Sequence, residues 1–402
     1  MAEIKPPVET FARIKVVGVG GSGGNAISRM MESKLKGVEF VAINTDSQDL
    51  HQNKATEKVH IGKNLTKGLG AGMNPDVGRQ AAEENRDEIQ EVLKGADMVF
   101  VTCGLGGGTG TGAGPIVAET AKESGSLTVA VVTKPFAFEG AQRRAIAEEG
   151  LENLRERVDT LITIPNDKLL QIIDKKTTLI NSFKIVDDVL RQGVQGISDL
   201  ITKPGIVNVD FADVKAIMAN SGSALMGIGI GTGETRAVDA AKAAINSPLL
   251  ELSIDGAKGV LFNVSGSNDL TMLEINEAAN VITESIDPNA KVIFGAVVDE
   301  AVKKGEVHVT VIATGFDAEK VNESPMAKMS RITRDTQRKK EQEEEKENGP
   351  SMIFPSKKLE SKMIIEEKVP PRGISVRSDS KELEDDEDEL EIPAFIRRKM
   401  GK

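Results

Sequence analysis

Glycine is concentrated in two stretches, residues 18–24 and 104–114, and each stretch follows an apolar run. Because glycine has no Cβ, consecutive glycines let phosphate oxygens approach backbone N–H groups closely. Where such a stretch opens a helix, the positive end of the helix dipole adds to the attraction for an anion. Thr109 and Thr111 add hydroxyl donors to the second stretch. Both stretches therefore predict phosphate binding, and the alternative of a mobile linker fits poorly between a strand and a helix.

The first stretch also matches a dinucleotide-binding pattern. Residues 18–23 (GVGGSG) satisfy G-x-G-x-x-G, and Asp46 follows the next predicted strand, so this part alone predicts NAD binding. A dehydrogenase does not explain the richer second stretch, and two phosphate loops favour one polyphosphate held from two sides. A P-loop is excluded because Thr111, not lysine, follows Gly110.

A polar cluster precedes a predicted helix in the segment VNVDFAD, where Asn208, Asp210 and Asp213 lie within six residues. Acidic residues before a helix ordinarily cap its N-terminus. Two close carboxylates can also orient or deprotonate a water molecule, yet no phosphate loop lies near them in the chain. Capping is the favoured interpretation unless a second molecule brings its phosphates.

The elements that position these residues alternate between strand and helix. Residues 13–19, 38–44, 98–102, 127–133 and 159–165 read as strands, and the predicted helices begin near Asn25, at Asp76, at Pro115 and at Gly140. This alternation predicts an α/β fold with a doubly wound parallel sheet, in which ligands bind beyond the carboxyl ends of the strands. The loops KGLGAGMNP, KPFAFEGAQRR and PNDKLL should therefore line one cleft, and they make Glu139, Arg143 and Asn166 candidate ligand contacts. Solvated charges or helix caps are the alternatives.

Apolar residues at spacings of three and four predict a long central helix near residues 178–201. Asp187 and Asp188 lie within its apolar surface and need partners if they are buried; an exposed face is the alternative. Four further strands and two helices predict a second, α+β domain. The predicted organisation is a flexible N-terminus (1–11), a nucleotide-binding domain (12–176), the central helix (177–203), the α+β domain (204–315), a disordered linker (316–388) and a partner-docking peptide (389–402).

Composition excludes several classes of function. A net charge of -11 argues against a broad nucleic-acid surface, and no apolar run approaches the roughly 18 residues of a membrane span. The N-terminus lacks the apolar segment of a signal peptide, so we expect a cytoplasmic protein without direct membrane insertion. Cys103 is the single cysteine, and the three histidines show no metal-ligand spacing, so no protein metal site is predicted.

The glycine-rich segment GGGTGTG at residues 106–112 resembles the loop shared by the tubulin/FtsZ family. The segments GVGGSGGNA, NTD, TKGLGAGMNP, TKPFAFEG, ITIPNDKLL, VNVDFADV and IPAFIRR resemble segments of that family in the same order. The resemblance covers residues 11–314 and the final dozen residues. Ser22 departs from it, since many relatives have Gly or Ala there, but phosphate binding stays plausible.

The resemblance implies a GTPase that binds GTP or GDP with Mg²⁺. Glu139 and Arg143 would meet the ribose, while Asn166, Phe183 and Asp187 would hold or stack on the base. The remaining implied cofactor-binding residues are Gly21, Ser22, Gly23, Gly24, Asn25, Asn44, Asp46, Ala71, Gly72, Gly104, Gly106, Gly107, Gly108, Thr109, Gly110, Thr133 and Pro135.

The resemblance also implies head-to-tail homopolymers that form the bacterial division ring at mid-cell. In such a polymer Asp210 and Asp213 of one subunit would position water at the γ-phosphate of the next, with Asn208 reaching across. The segment from Leu390 to Lys402 would dock on membrane anchors and regulators of the ring. An NAD-dependent oxidoreductase and a nucleotide-binding scaffold without turnover remain the rival hypotheses.

Overall fold

The structure, a computed structural model, describes residues 12–316 apart from 172–176, 204, 206, 208, 251–252, 255 and 300–301. Ten strands of this part form one sheet, in the order β3-β2-β1-β4-β5-β6-β7-β10-β8-β9. Their bounds are β1 Ile14–Val19, β2 Val38–Asn44, β3 Glu57–His60, β4 Met98–Gly104, β5 Leu127–Lys134, β6 Thr160–Pro165, β7 Gly222–Thr232, β8 Gly259–Gly266, β9 Lys291–Val298 and β10 Glu306–Thr314.

The first six strands are all parallel and are covered on both faces by helices. Every residue of β1 is buried, as expected for a central strand with helices above and below it. Val16 and Phe100 belong to the apolar cluster on one face, and Val17 and Val101 belong to the cluster on the other. The doubly wound sheet predicted for this half is confirmed.

The helices follow the predicted alternation, with additional short ones. Their bounds are α1 Gly20–Glu32, α2 Ser47–Gln52, α3 Lys63–Thr66, α4 Pro75–Glu84, α5 Arg86–Leu93, α6 Thr109–Glu123, α7 Ala141–Arg155, α8 Asn166–Leu169, α9 Leu179–Thr202, α10 Phe211–Met218, α11 Arg236–Ile245 and α12 Met272–Thr283, with a 3-10 turn at Ala137–Glu139.

Two predicted helix starts are wrong. α1 begins at Gly20 rather than near Asn25, and α6 begins at Thr109 rather than at Pro115, which lies inside the helix. Glycine disfavours a helix in isolation, but close packing requires it here. A Cβ on Gly112 would lie 1.9 Å from the Pro75 carbonyl oxygen. Gly21, Gly23 and Gly24 therefore belong to α1, and Gly110, Gly112 and Gly114 belong to α6, whereas Gly106, Gly107 and Gly108 lie in the loop before α6.

The predicted helix from Asp76 is interrupted at Asn85, between α4 and α5. The backbone of Asn85 leaves the helical region at φ -113 and ψ 26. Its side-chain oxygen accepts a hydrogen bond from the Gly62 N–H at 2.8 Å. This bond to a neighbouring loop gives a local reason for the break.

The second half of the sheet joins the first through β7. The start of β7 pairs in parallel with β6 at residues Gly222 to Ala224, and the rest pairs antiparallel with β10. β10 pairs antiparallel with β8, and β8 pairs in parallel with the edge strand β9. α11 and α12 cover one face of these strands. The predicted α+β half is confirmed.

Parts of the predicted organisation lie outside the described residues. These parts are the N-terminus, Asn208, almost all of the linker, and the docking peptide. The domain boundaries placed at residues 176, 203 and 315 stay predictions. Within the described residues, no helix is both long enough and apolar enough to cross a membrane.

Candidate nucleotide-binding site

The two glycine-rich helix starts meet at the carboxyl edge of the parallel sheet. Gly20 has φ +72, a conformation that glycine adopts without strain, and a Cβ there would lie 3.0 Å from the Gly110 nitrogen. A Cβ on Gly104 would lie 2.6 Å from Ser22 Oγ. The first turns of α1 and α6 therefore approach each other closely, and both present backbone N–H groups to the same space.

The third glycine-bearing loop, residues 67–75, closes the site beside α6. The Gly108 N–H donates to the Gly72 carbonyl at 2.7 Å. A Cβ added to Gly72 or Gly107 would meet no heavy atom within 4 Å, so both residues face open space. The hydroxyl oxygens of Thr45 and Thr109 lie 2.6 Å apart in a buried hydrogen bond that joins the end of β2 to the start of α6.

These loops and the start of α9 enclose a cavity of about 410 Å³, a volume typical of small-ligand sites. Sixteen of the predicted site residues line it. They are Gly21, Ser22, Asn25, Gly72, Gly104, Gly107, Gly108, Thr109, Gly110, Thr133, Pro135, Glu139, Arg143, Asn166, Phe183 and Asp187.

One end of the cavity carries hydrogen-bond acceptors and an aromatic ring. Asn166 is only 5% exposed, and its Oδ1 has no hydrogen-bond partner among the described residues. Phe183 is partly exposed and packs edge-on against Phe136, with ring centroids 5.5 Å apart. Asp187 completes this end from the third turn of α9. A planar base with N–H donors on one edge fits these groups.

The Asp187 carboxyl is largely buried and lies near a cation. Burial raises its pKa to about 6, although the Arg29 guanidinium opposes the shift. Arg29 Nε lies 3.7 Å from Asp187 Oδ2. At neutral pH the group is therefore a carboxylate, which accepts hydrogen bonds.

Glu139 and Arg143 form a second charged pair on the cavity wall. Arg143 Nη1 donates to Glu139 Oε2 at 2.5 Å, and Glu139 Oε1 accepts from the Phe136 N–H at 3.0 Å. These bonds hold the carboxylate of Glu139 in place between the 3-10 turn and α7.

Six predicted residues lie behind the cavity lining. Gly23 packs against Gly18 and the Thr102 carbonyl, and Gly24 packs against Asn53. The Asp46 side chain caps α2, and Asn44 Nδ2 donates to Asp49 Oδ2 at 2.7 Å. Ala71 and Gly106 also support the loops from behind: a Cβ on Gly108 would lie 2.9 Å from the Ala71 Cβ, and the Gly106 N–H donates to Thr111 Oγ1.

Sequence reasoning did not single out four lining residues, Val19, Gly20, Leu105 and Val186. Gly20 was part of the G-x-G-x-x-G match, so its signal was present. Val186 lies next to Asp187 on the apolar surface of α9 and reads from sequence as a core residue. Its place on the cavity wall depends on how α9 packs.

Asp210 and Asp213 do not line the cavity. The Asp210 side chain accepts from the Asp213 N–H at 2.8 Å and caps α10, so the capping interpretation is correct for the isolated chain. α9 runs roughly 22 Å from Asp187 to Thr202, given a rise of 1.5 Å per residue. Thr202 packs against Gly37, just before the amino end of β2. The aspartates therefore lie beyond the opposite edge of the sheet from the cavity.

The residues that line the cavity are suited to binding a purine nucleotide and not to coordinating a metal ion directly. The glycine-lined helix starts suit phosphates, and the unpartnered Asn166 oxygen suits a base donor. Among the described residues, no group of three or more His, Cys, Asp or Glu side chains could hold a metal ion. A Mg²⁺ ion would therefore be held mainly by phosphate oxygens and water, as is usual for this ion.

The fold and the site define an α/β protein whose glycine-rich helix starts could hold the phosphates of a nucleotide without a P-loop lysine. Residues 13–174 match the GTPase domain of the tubulin/FtsZ family, and residues 222–317 match the FtsZ family C-terminal domain. An empty FtsZ dimer of M. jannaschii is similar at 50% identity and a TM-score of 0.74, covering 77% of this chain and 89% of that one.

Two further solved structures share the fold. CetZ1 of Haloferax volcanii, a GDP-bound monomer, matches at 22% identity and a TM-score of 0.66 over 76% of this chain and 95% of its own. CetZ2 of the same organism, a GTPγS-bound protofilament, matches at 20% identity and a TM-score of 0.66, with coverages of 81% and 99%. The chain belongs to the tubulin/FtsZ family. It is a GTPase with the fold of filament-forming cytoskeletal proteins.

Proposed function

We propose that this GTPase assembles head to tail into the filaments of a cell-division ring and hydrolyses GTP at the contact between subunits. The proposal is based on the distance between two groups of residues, the nucleotide half-site at the cavity and the acidic half-site at Asp210 and Asp213. The glycine-rich helix starts lie at the carboxyl edge of the sheet, and Asp210 lies beyond the amino edge. Stacking identical subunits along this direction brings the Asp210 end of one against the cavity of the next.

The surface around the cavity supports such a contact. Leu69 is 85% exposed, Ile180 is 70% exposed and Phe138 is 61% exposed. Each belongs to a segment that contributes to the cavity wall: the third glycine loop, the start of α9 and the turn before Glu139. Large apolar side chains around a polar site are typical of protein interfaces.

In the assembled site, Asp210 and Asp213 position and polarise the attacking water, and Asn208 adds a further polar contact. Both aspartates are exposed in the single chain, so they are available to a neighbour. The helix starts of α1 and α6 bind the phosphates, and Mg²⁺ supplies charge neutralisation when it is bound with the nucleotide. Positioning and charge stabilisation are the main requirements of phosphoryl transfer.

Asp210→Asn is the variant that tests the shared site, because asparagine preserves the cap of α10 while it removes the charge. We expect GDP affinity to stay the same and GTP turnover to fall about 100-fold or more in a phosphate-release assay. Asp239→Asn, which changes an exposed acid on α11, is the matched control and should leave turnover unchanged.

Mixing two inactive variants tests directly whether a neighbouring subunit completes the site. Asp210→Asn subunits bind GTP but lack the water-positioning acid, whereas Gly107→Ala subunits lack the nucleotide and keep the acids. A mixture of the two should regain part of the turnover that each variant lacks alone. Continued inactivity of a mixture that co-assembles would rule out completion of the site by a neighbour.

A nucleotide-binding scaffold without turnover, the rival hypothesis from the sequence, conflicts with the match to the GTPase domain of the tubulin/FtsZ family. It would predict assembly with GTP but no phosphate release at any protein concentration. For the docking peptide, we propose that residues 390–402 recruit membrane anchors and regulators. Their deletion should leave polymerisation intact, and failure to polymerise would contradict this role.

A further inference from the structure

The end of α9 carries a lysine that holds two carboxylates. Lys203 Nζ donates to Asp199 Oδ2 at 2.9 Å and to Asp299 Oδ2 at 3.0 Å. The Asp199 side chain is 3% exposed and the Asp299 side chain is 15% exposed, so salt screens these bonds little. Burial opposes the charged form of Lys203, but its hydrogen bonds to the two carboxylates raise its pKa. The lysine is therefore a cation at neutral pH, and we call these three side chains the lysine clamp.

The lysine clamp joins two separate elements. Asp199 lies one turn before Lys203 on α9, whereas Asp299 follows the last residue of β9. The Asp299 N–H donates to the Gly266 carbonyl at 2.8 Å, which fixes the backbone of Asp299 at the end of the sheet. Lys203 therefore ties the end of the central helix to the end of β9.

The connector between α9 and Asp210 begins at the lysine clamp and follows β9. A Cβ on Gly205 would lie 2.5 Å from the Ala296 carbonyl oxygen, so the connector approaches the strand closely. Val207 exchanges two backbone hydrogen bonds with Ala296, and these are long, at 3.3 and 3.4 Å. The lysine clamp adds short, charged hydrogen bonds at the start of the connector, and such bonds are stronger than neutral ones.

Asp210 lies at the far end of the connector, seven positions after Lys203. The end of α10 is anchored separately, because Thr160 Oγ1 donates to the Met218 carbonyl. The side chains of Asp210 and Asp213 are exposed, so their position depends on the backbone that carries them. A reactive group has to be held within about 0.5 Å of its productive position, which requires support from the residues behind it.

We propose that Lys203 is a positioning residue for GTP hydrolysis in the neighbouring subunit. This inference rests on the proposed function, in which Asp210 and Asp213 act on the nucleotide of the next molecule. By tying α9 to β9, Lys203 holds the start of the connector and so sets where the two carboxylates lie at the contact. A displacement of about 1 Å can lower a rate about 100-fold. Lys203 does not line the nucleotide cavity, so it acts only through the connector.

The variant Lys203→Met removes the cation and keeps a side chain of similar length. We expect GDP affinity and the amount of filament to stay at wild-type levels, because neither depends on the exact position of Asp210. GTP turnover per assembled subunit should fall about tenfold or more. Lys203→Arg can reach the same two carboxylates and should recover most of the turnover. Phosphate release divided by the amount of pelleted filament measures the effect.

Loss of a buried cation can also destabilise the fold, and two variants separate that effect from positioning. Lys15 on β1 is the matched control, because its Nζ lies 3.1 Å from Glu39 and 3.8 Å from Glu57 and its side chain is 10% exposed. Lys15→Met should lower the unfolding midpoint and keep wild-type turnover in the filament. Lys203→Met/Asp199→Asn removes the buried charge left without its cation, so it should recover stability without recovering turnover.

Mixtures identify the subunit that carries the defect. Lys203→Met subunits bind GTP, and Gly107→Ala subunits supply acids from a connector with an intact lysine clamp, so a mixture of the two should regain turnover. Subunits that carry both Lys203→Met and Gly107→Ala should fail to restore turnover to Asp210→Asn subunits, although Gly107→Ala subunits restore it.

Wild-type turnover in Lys203→Met filaments would overturn the inference. It would also be overturned if intact Gly107→Ala neighbours did not relieve the defect, because the defect would then belong to the subunit that binds GTP. Failure of Gly107→Ala subunits to restore Asp210→Asn would overturn the proposed function together with this inference. Success of that mixture and failure of the Lys203→Met mixture would reject the role of Lys203 alone.

Discussion

Arg29 on α1 and Asp187 on α9 face each other at the base end of the cavity, with Nε 3.7 Å from Oδ2. Burial raises the pKa of Asp187 to about 6, and the guanidinium limits the rise. This pair joins the first phosphate-binding helix to the central helix. The burial of Asp187 makes the charge at this end of the cavity sensitive to mildly acidic pH.

Nucleotide affinity should depend on the ionisation of Asp187. Above about pH 6 the group is a carboxylate and accepts N–H donors of guanine, and below it the protonated form loses this ability. We expect GDP affinity to be constant near pH 7 and to fall by up to about tenfold per pH unit below 6. Calorimetric titration across this range measures the effect.

Two variants check the assignment of that pH dependence. The variant Asp187→Asn should bind GDP weakly, and its GDP affinity should not change between pH 7 and pH 5. Asp188→Asn should keep the pH dependence with only a slight shift of its midpoint to lower pH, because Asp188 pairs with Arg191 on the same helix and contributes least to the raised pKa of Asp187. If Asp187→Asn showed the same pH dependence of GDP affinity as the wild type, the titrating group would be another residue.

The variant Asn166→Leu should weaken GDP binding without lowering the stability of the nucleotide-free protein. The buried Asn166 Oδ1 lacks a partner among the described residues, so replacing the amide with an apolar group of similar size should not lower the free energy of unfolding without nucleotide. GDP affinity should fall about tenfold or more, since a hydrogen bond to the base is lost. Thermal unfolding with and without GDP measures both. Asn263→Leu is the matched control, because Asn263 Oδ1 is also buried and has no partner within the described part of the chain, but it lies on β8, away from the cavity.

Two glycines of the second stretch should respond differently to alanine. A Cβ on Gly107 meets nothing within 4 Å and points into space that phosphates would use, so Gly107→Ala should fold and lose GDP binding. A Cβ on Gly112 would lie 1.9 Å from the Pro75 carbonyl oxygen, so Gly112→Ala should lower the unfolding midpoint strongly. Circular dichroism melts and GDP titration compare the two, and equal melting curves would contradict this division.

An acidic residue at the rim of the cavity should block assembly without affecting the site. Leu69→Asp places a charge on an 85% exposed side chain, so neither folding nor GDP binding should change. Assembly followed by light scattering should be lost, because the charge would be desolvated in the contact. Ile230→Asp, on β7, is the control and should assemble normally. Normal assembly of Leu69→Asp would exclude this rim from the contact.

Much of the nucleotide site was predictable because its chemistry is local. Glycine runs after apolar strands predict phosphate contacts wherever the strands lie, since the backbone N–H groups come from the same residues. The carboxyl-edge rule then brought Glu139, Arg143 and Asn166 to the same cleft from two separate loops. The helix starts at Gly20 and Thr109 were mispredicted, because the contacts that favour glycine inside a helix come from distant segments such as Pro75.

The sequence alone determined the residue types of two half-sites: glycines and acceptors for a nucleotide, and two carboxylates before a helix. The tertiary structure decided that these half-sites cannot meet within one chain. The reason is geometric, because α9 spans the sheet and carries the chain from the cavity edge at Asp187 to the opposite edge before Asp210. Spacing in the sequence does not fix that distance, since it depends on how the long helix packs against the strands.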